Sequence, residues 1–379
     1  MRYQSTVFAQ LLKAFPRGRF ERLVRLHSQG RRKRSLSDWS HFVAMIFAQA
    51  SGVRSLRDLE RVIDRHSGIA AHLGLSGLKR STLADANGSR PAALFEAAAR
   101  ELSGTLGQRT QSREAIRLID ATHFLAGARV AEWSGAGGVK LHMMYELESE
   151  RPVCFAITPK RINDIVAAKA MPVEPGATYV FDKGYYHFAF WAKIDASGSR
   201  FVTRLKANSP IRISQERQIA PGGGIVFDRT GYLNERLMSQ YRNPYAKPIR
   251  VIGVKLDGCR QITLLSNDLD SPAEDIAALY KKRWQIELFF KWIKQNLKLG
   301  HFLGTSRNAV IIQIMAALIA YMLMRIASLA AKTSLGLQAV ARLMPAMLLS
   351  RRHINDIFRP PPIPPNSKHQ QLSLWITNA

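Results

Sequence analysis

Only two cysteines, Cys154 and Cys259, occur in 379 residues. They show neither the paired spacing of a metal site nor a disulfide framework. A disulfide-stapled secreted domain and a zinc module are therefore excluded, and Cys154 in the apolar run PVCFAIT reads as a core residue in a reducing cytosol. Acidic residues are scarce, 28 Asp and Glu against 55 Lys and Arg, for a formal charge of +27. Such a field favours a polyanionic partner. The amino-terminal MRYQSTVFAQLLKAF lacks an apolar core with a cleavage site, so no export is expected. No apolar run reaches the ~20 residues that cross a bilayer. The segment that comes near, residues 309–324, contains Gln313 and stops at Arg325, so a buried helix and no membrane partner are expected. No internal repeat is present.

What is there is a chain long enough for two or three domains, with 46% hydrophobic residues, which suits a folded enzyme-sized body. Residues 1–110 read as helical. Ser37 is placed to cap SDWSHFVAMIFAQASG, Gly52 to end it, and SLRDLERVIDRH forms a second amphipathic helix. Short helices broken at Asn87-Gly88 and at Pro91 follow. Basic residues cluster at Arg17, Arg19, Arg22 and Arg25 and again from Arg31 to Arg34, so this part is assigned to DNA docking.

From about residue 115 the pattern turns to strands: AIRLIDATHF, GGVKLHMMYELES and RPVCFAITP as a meander, the helix NDIVAAKAM, then the strand ATYVFDKGYY, a helix over 186–193 and the strand RFVTRLKAN. That order is the plan of a ribonuclease-H-like α/β fold. Residues 208–268 alternate like strands and read as a β-rich insertion in a catalytic domain spanning 111–305. Residues 306–379 form a C-terminal region of two apolar helices and a tail with a proline run at 360–365.

The stretch LYKKRWQIELFFKWIKQNLKLG carries Tyr280, Arg283, Glu287 and Lys294. In one continuous helix at ~100° per residue they share a ~60° arc. A carboxylate beside two cations and a phenol suits a metal held next to a phosphate backbone, and is also what a solvated helix face presents. Asp120 closes the apolar strand AIRLID, and Asp182 is delivered by ATYVFD into a turn with Gly184. Either aspartate alone reads as a turn former. With Glu287 they make three hard oxygen donors, the set that a pair of Mg²⁺ ions needs for phosphoryl transfer.

On these residues the chain resembles the DDE transposases of bacterial insertion sequences, in the insertion sequence 4 family with the signature Y-x2-R-x3-E-x6-K. Tyr280, Arg283, Glu287 and Lys294 match it, IDATHF and DKGYY resemble the two aspartate motifs, and GVRSLRDLERVI and GTSRNAVIIQIMAALIAYMLM extend the likeness over most of the chain. The resemblance implies a ribonuclease-H-like fold. It also implies catalysis by Asp120, Asp182 and Glu287 with two Mg²⁺ or Mn²⁺ ions, and phosphate contacts from Tyr280, Arg283 and Lys294. The expected partners are terminal inverted repeats, target DNA and a second copy of the chain, in a bacterial cytoplasm at the nucleoid. It further implies a hairpinned DNA end with a flipped base on Trp284, for which a core position is the competing reading. Arg204 and Lys206 would line the DNA channel from one strand face, or be solvated there, and Lys183 is a further candidate for DNA contact. A silent DNA-binding regulator and a ribonuclease-H-like nuclease or resolvase are the alternative functions.

Overall fold

The computed structural model describes residues 5–28, 36–110, 115–125, 127–135, 137–206, 209, 211–219, 223–234, 245–256, 261–297, 299 and 301–358. The basic run Arg31–Arg34, Cys259 and the proline run lie outside them.

Seven helices come first: α1 Val7–Leu12, α2 Arg17–His27, α3 Asp38–Ser51, α4 Leu56–Arg65, α5 Ser67–His72, α6 Arg80–Ser89 and α7 Ala92–Thr110. The local signals set most of their ends. Ser37 Oγ accepts from the Ser40 N–H, and Gly52 stops α3 in the left-handed region at φ 67°. Ser55 Oγ caps α4 by accepting from Asp58. The break expected at Asn87-Gly88 is absent, and α6 runs through it. Asn87 is buried there, its Oδ1 accepting from His41 Nε2 at 2.8 Å, so tertiary burial overrides the turn propensity of the pair. Burial, opposed by the Asn87 bond, lowers the His41 pKa to about 4 and keeps the ring neutral.

Then come β1 Ile116–Leu125, α8 Ala128–Ser134, β2 Gly138–Glu146, β3 Arg151–Pro159, α9 Asp164–Ala170, β4 Thr178–Phe181, a 3₁₀ turn Lys183–Tyr185, α10 Phe188–Ala196 and β5 Arg200–Arg204. The helix expected from Tyr186 starts two residues later, because the 3₁₀ turn comes first. Strands β6 Ile211–Arg217, β7 Ile225–Leu233, β8 Ile249–Lys255 and β9 Gln261–Ser266 occupy the stretch read as an insertion. They join the same sheet, in the order β3-β2-β1-β4-β5-β9-β8-β7-β6. The join is antiparallel pairing of β5 with β9, Val202 opposite Ser266. The last described elements are α11 Ala273–Lys282, α12 Trp284–Asn296, α13 Arg307–Ala331, α14 Leu337–Met347 and α15 Ile354–Ile357.

Helix α13 is 25 residues long, so length does not exclude a membrane span as the 16-residue apolar run had suggested. Its surroundings decide: 89% of its most apolar window is buried inside the protein. It packs on α1, α3, α6, α7, α14 and β3, so the helices before and after the sheet share one core on one face. The opposite face is covered by α9 and α10 around Tyr179, Phe181, Trp191 and Phe201. Side chains alternate along β1, so Leu118, Asp120, Thr122 and Phe124 point to the α13 side.

Candidate active site

β1 and β4 run parallel with Ile119 opposite Phe181, so the next residues along, Asp120 and Asp182, sit side by side at the centre of the sheet. Asp120 does not close its strand. Pairing with β2, Asp120 opposite Met143 and Phe124 opposite Val139, carries β1 five residues further. Asp182 leaves the sheet as the cap of the 3₁₀ turn, its Oδ1 accepting from the Gly184 N–H at 2.7 Å. Its carbonyl accepts from Thr203 Oγ1 on β5 at 3.1 Å. A Cβ on Gly184 would stand 2.8 Å from that Oδ1, so glycine here lets the carboxylate fold back over the turn.

The stripe on LYKKRWQIELFF does not lie on one helix. α11 stops at Lys282 and α12 starts at Trp284, with Arg283 in the joint. Bonds from Arg283 N to Tyr280 O (3.1 Å) and from Ile286 N to Arg283 O (3.2 Å) tighten the chain there. The cause is packing. α11 lies on β4, β5 and β7–β9, whereas α12 lies on β1, α13 and α14. Ile276 and Ile286, both buried, would be ~80° out of phase on an unbroken helix. The joint stays in the right-handed helical region, and Tyr280, Arg283 and Glu287 remain neighbours.

Arg283 Nη1 donates to Glu287 Oε1 at 2.6 Å and stands 3.7 Å from Asp120 Oδ2. Its carbon centre lies 5.8 Å from the Tyr280 ring. Burial raises the Asp120 pKa to about 6. The Ala121 N–H and Arg283 oppose the rise, and the charges of Asp182 and Glu287 add to it. Burial alone would lower the Arg283 pKa, but the bond to Glu287 and the charges of Tyr280, Glu287 and Asp120 together outweigh it and hold the guanidinium above its ordinary value. Lys294 sits with Nζ 5.6 Å from the Phe124 ring, and burial lowers its pKa. Burial likewise raises that of Tyr280.

A cavity of about 490 Å³ is lined by Asp120, Thr122, Glu287, Lys291 and Lys294 among others. Asp182 is not in its wall. Among the described residues, no three His, Cys, Asp or Glu side chains converge as they stand on one metal position. Three mutually repelling carboxylates, with a guanidinium drawn between two of them, nonetheless make a donor set that suits a hard divalent cation.

The remaining candidates divide. Trp284 is 56% exposed, which overturns the reading of it as a core residue. Arg204 ends β5, half-buried, with its charge felt at Tyr280. Lys206 lies beyond the strand, so the two do not share a strand face; Lys206 Nζ rests 4.9 Å from the Tyr186 ring. Lys183 is exposed in the 3₁₀ turn. Arg19 and Arg22 are drawn to Glu101 on α7, at 4.0 and 2.6 Å. Two residues escaped the sequence reading. Lys291 lies one turn after Glu287, a spacing that was available to find it. Tyr185 is buried with a hydroxyl that has no partner among the described residues, and burial and the charges of Asp120, Asp164 and Asp182 hold its pKa far above the ordinary value. Its place three residues after Asp182 was the only clue.

Residues 111–323 match the family model described as Transposase DDE domain, and residues 3–76 match a domain of unknown function, DUF4372. A Sinorhizobium fredii protein named "Putative transposase y4zB" is 39% identical over 297 residues, 77% of this chain and 83% of that one. The "Probable transposase for insertion sequence element IS5377" of Geobacillus stearothermophilus is 29% identical over 216 residues, 55% of this chain and 56% of its own. A solved piggyBac transposase synaptic complex with hairpin DNA aligns at a TM-score of 0.45 and 10% identity, over 94% of this chain and 80% of that chain, too slight a likeness to decide the fold.

Proposed function

The chain belongs to the DDE transposase family and is a transposase enzyme, and we propose that it binds the terminal inverted repeats of an insertion sequence of the insertion sequence 4 family and joins them to target DNA. The observation that carries this reading is the meeting of Asp120 and Asp182 on adjacent parallel strands with the Arg283–Glu287 pair from the α11–α12 joint. The strand order β3-β2-β1-β4-β5, with β1, β4 and β5 parallel, supports a ribonuclease-H-like catalytic domain over 111–305, flanked by a helical DNA-binding part and C-terminal helices.

DDE transposases depend on divalent metal. Here Asp120, Asp182 and Glu287 would hold the Mg²⁺ or Mn²⁺ ions. A metal held by these three carboxylates would supply activation of an oxygen nucleophile and charge for the leaving oxyanion. The protein's own residues position the DNA. Lys294 and Lys291, on the cavity wall beside Glu287, attract the phosphates flanking the cut. Arg283 offers a planar fork to a phosphate once its carboxylates have another cation. Tyr280 and Arg204 extend this basic wall toward β5 and Lys206. The exposed indole of Trp284 is free to stack on a flipped base, as a hairpin route requires. Two ends must be paired, which calls for a homodimer at the nucleoid.

The test is cleavage of a labelled duplex carrying the element's own end, with Mg²⁺ or Mn²⁺, by the wild type and by Glu287→Ala. Metal-dependent cutting at the end that is lost in the variant while binding persists is expected. Specific binding without cutting by the wild type under either metal would sink the catalytic reading.

A further inference from the structure

Between α4 and α6 lies a cavity of about 660 Å³, lined by Ser55, Arg57, Arg80, Ser81, Asp85 and Leu303 among others. Arg57 and Arg80 are exposed, one on each helix, and neither side chain has an ion-pair partner among the described residues. Arg61 and Arg65 on α4 likewise have no ion pair among the described residues, so what distinguishes Arg57 and Arg80 is their place in the groove lining. Lys79 is held by Glu60 at 3.3 Å, Arg17 by Glu21 at 2.9 Å and Arg22 by Glu101 at 2.6 Å. Asp85 is the one acidic residue of the lining, so two unneutralised guanidinium groups dominate the groove.

The groove connects physically with the proposed active site. Lys294, on the wall of the Asp120 cavity, lies over the Phe124 ring. Phe124 meets Phe302 edge-on at 6.5 Å, and the next residue, Leu303, is part of the groove wall. That wall is fixed in place. Buried Gln313 accepts from the Leu303 N–H at 2.7 Å and donates to the His301 carbonyl at 3.0 Å, while Trp133 Nε1 donates to the Thr305 carbonyl at 2.9 Å. From Asp120 to Phe124 is ~13 Å of strand at ~3.3 Å per residue. With the ring contact added, the groove begins on the order of 20 Å from Asp120, about six base pairs of duplex at 3.4 Å each.

We propose that this groove holds the phosphate backbone of the element's end DNA about six base pairs from the scissile phosphate, with Arg57 and Arg80 gripping it from opposite walls. The inference rests on the reading of the chain as an end-binding transposase and adds where the helical part holds its substrate. Duplex DNA is the occupant because the groove presents two exposed planar cations, one on each helix, and the Ser81 hydroxyl, which suit phosphate oxygens above a floor that includes Leu56, Ala84 and Leu303. These contacts set affinity and register, and they carry no base sequence of their own.

The test is an anisotropy titration of the full-length protein against the element's end duplex over a range of salt. Wild type is compared with Arg57→Ala/Arg80→Ala and with Arg342→Ala as a control that removes an exposed charge from α14. The double variant is expected to bind about tenfold more weakly, with a salt slope lower by about two, one per lost phosphate contact, while the control is unchanged. In the wild type, methylphosphonates placed about six base pairs from the cut should reproduce that loss, and in the double variant they should add nothing. Wild-type affinity and slope in the double variant, or an equal loss in the control, would overturn the groove assignment. A wild type that binds the end no better than random DNA would instead overturn the end-binding reading, and the groove assignment with it.

Discussion

Arg283, in the joint that separates α11 from α12, reaches forward one turn to Glu287 at 2.6 Å. With only 18% and 32% of the two side chains exposed, water screens the pair weakly, and the same guanidinium faces Asp120. The arginine therefore stands in as the cation between two carboxylates.

Arg283→Gln should lower unfolding free energy by about 1–3 kcal/mol without metal, because both carboxylates lose their shared counter-charge. Adding Mg²⁺ should recover more stability in the variant than in the wild type. Denaturant melts with and without Mg²⁺ check this, and equal increments in the two proteins would refute it.

Asp120 gives a pH-dependent prediction. Its pKa in the folded protein, about 6, lies above the ordinary 3.8, so folding favours the protonated form. The resulting stability is fully present below about pH 4 and is lost as pH rises through about 6. Two units correspond to at most about 3 kcal/mol. Asp120→Asn should accordingly melt higher than the wild type at pH 8 without metal, and no higher at pH 4. Metal binding by the wild type should weaken as pH falls through 6, since the carboxylate must lose its proton to ligate.

Gly184→Ala places a methyl 2.8 Å from Asp182 Oδ1 and so dislodges the capped carboxylate. End cleavage should fall at least tenfold, about 1.4 kcal/mol in the barrier, with end binding little changed. Unaltered cleavage would mean that Asp182 tolerates displacement and is not a metal ligand.

Asp228 on β7 accepts from Arg250 on β8 through two bonds of 2.7 and 2.8 Å, both side chains buried, and Arg250 also donates to the Ser271 carbonyl ahead of α11. Asp228→Ala strands the guanidinium and should destabilise by about 3–5 kcal/mol. The double change Asp228→Leu/Arg250→Met should recover most of that loss, as read by denaturant melts. A double variant as unstable as Asp228→Ala would show that the pair is needed for more than its charge balance.

The sequence by itself determined whatever depends on neighbours along the chain. Ser37, Ser55 and Gly52 set helix ends through bonds within a few residues. Apolar alternation marked the strands. An aspartate on a strand, another just past one, and a glutamate spaced from an arginine and a lysine announced phosphate chemistry because those spacings survive local folding. Only the tertiary structure decided the rest, since it depends on partners distant in sequence. β1 continues past Asp120 because β2 pairs with it. The insertion strands became one sheet with the core because β9 found β5. The helix broke at Arg283 because its two halves pack on different surfaces. Asn87 stayed helical because His41 reached it. A 25-residue apolar helix belongs to the core because α1, α3, α6, α7, α14 and the sheet strand β3 pack against it, and no count of its residues could have supplied that.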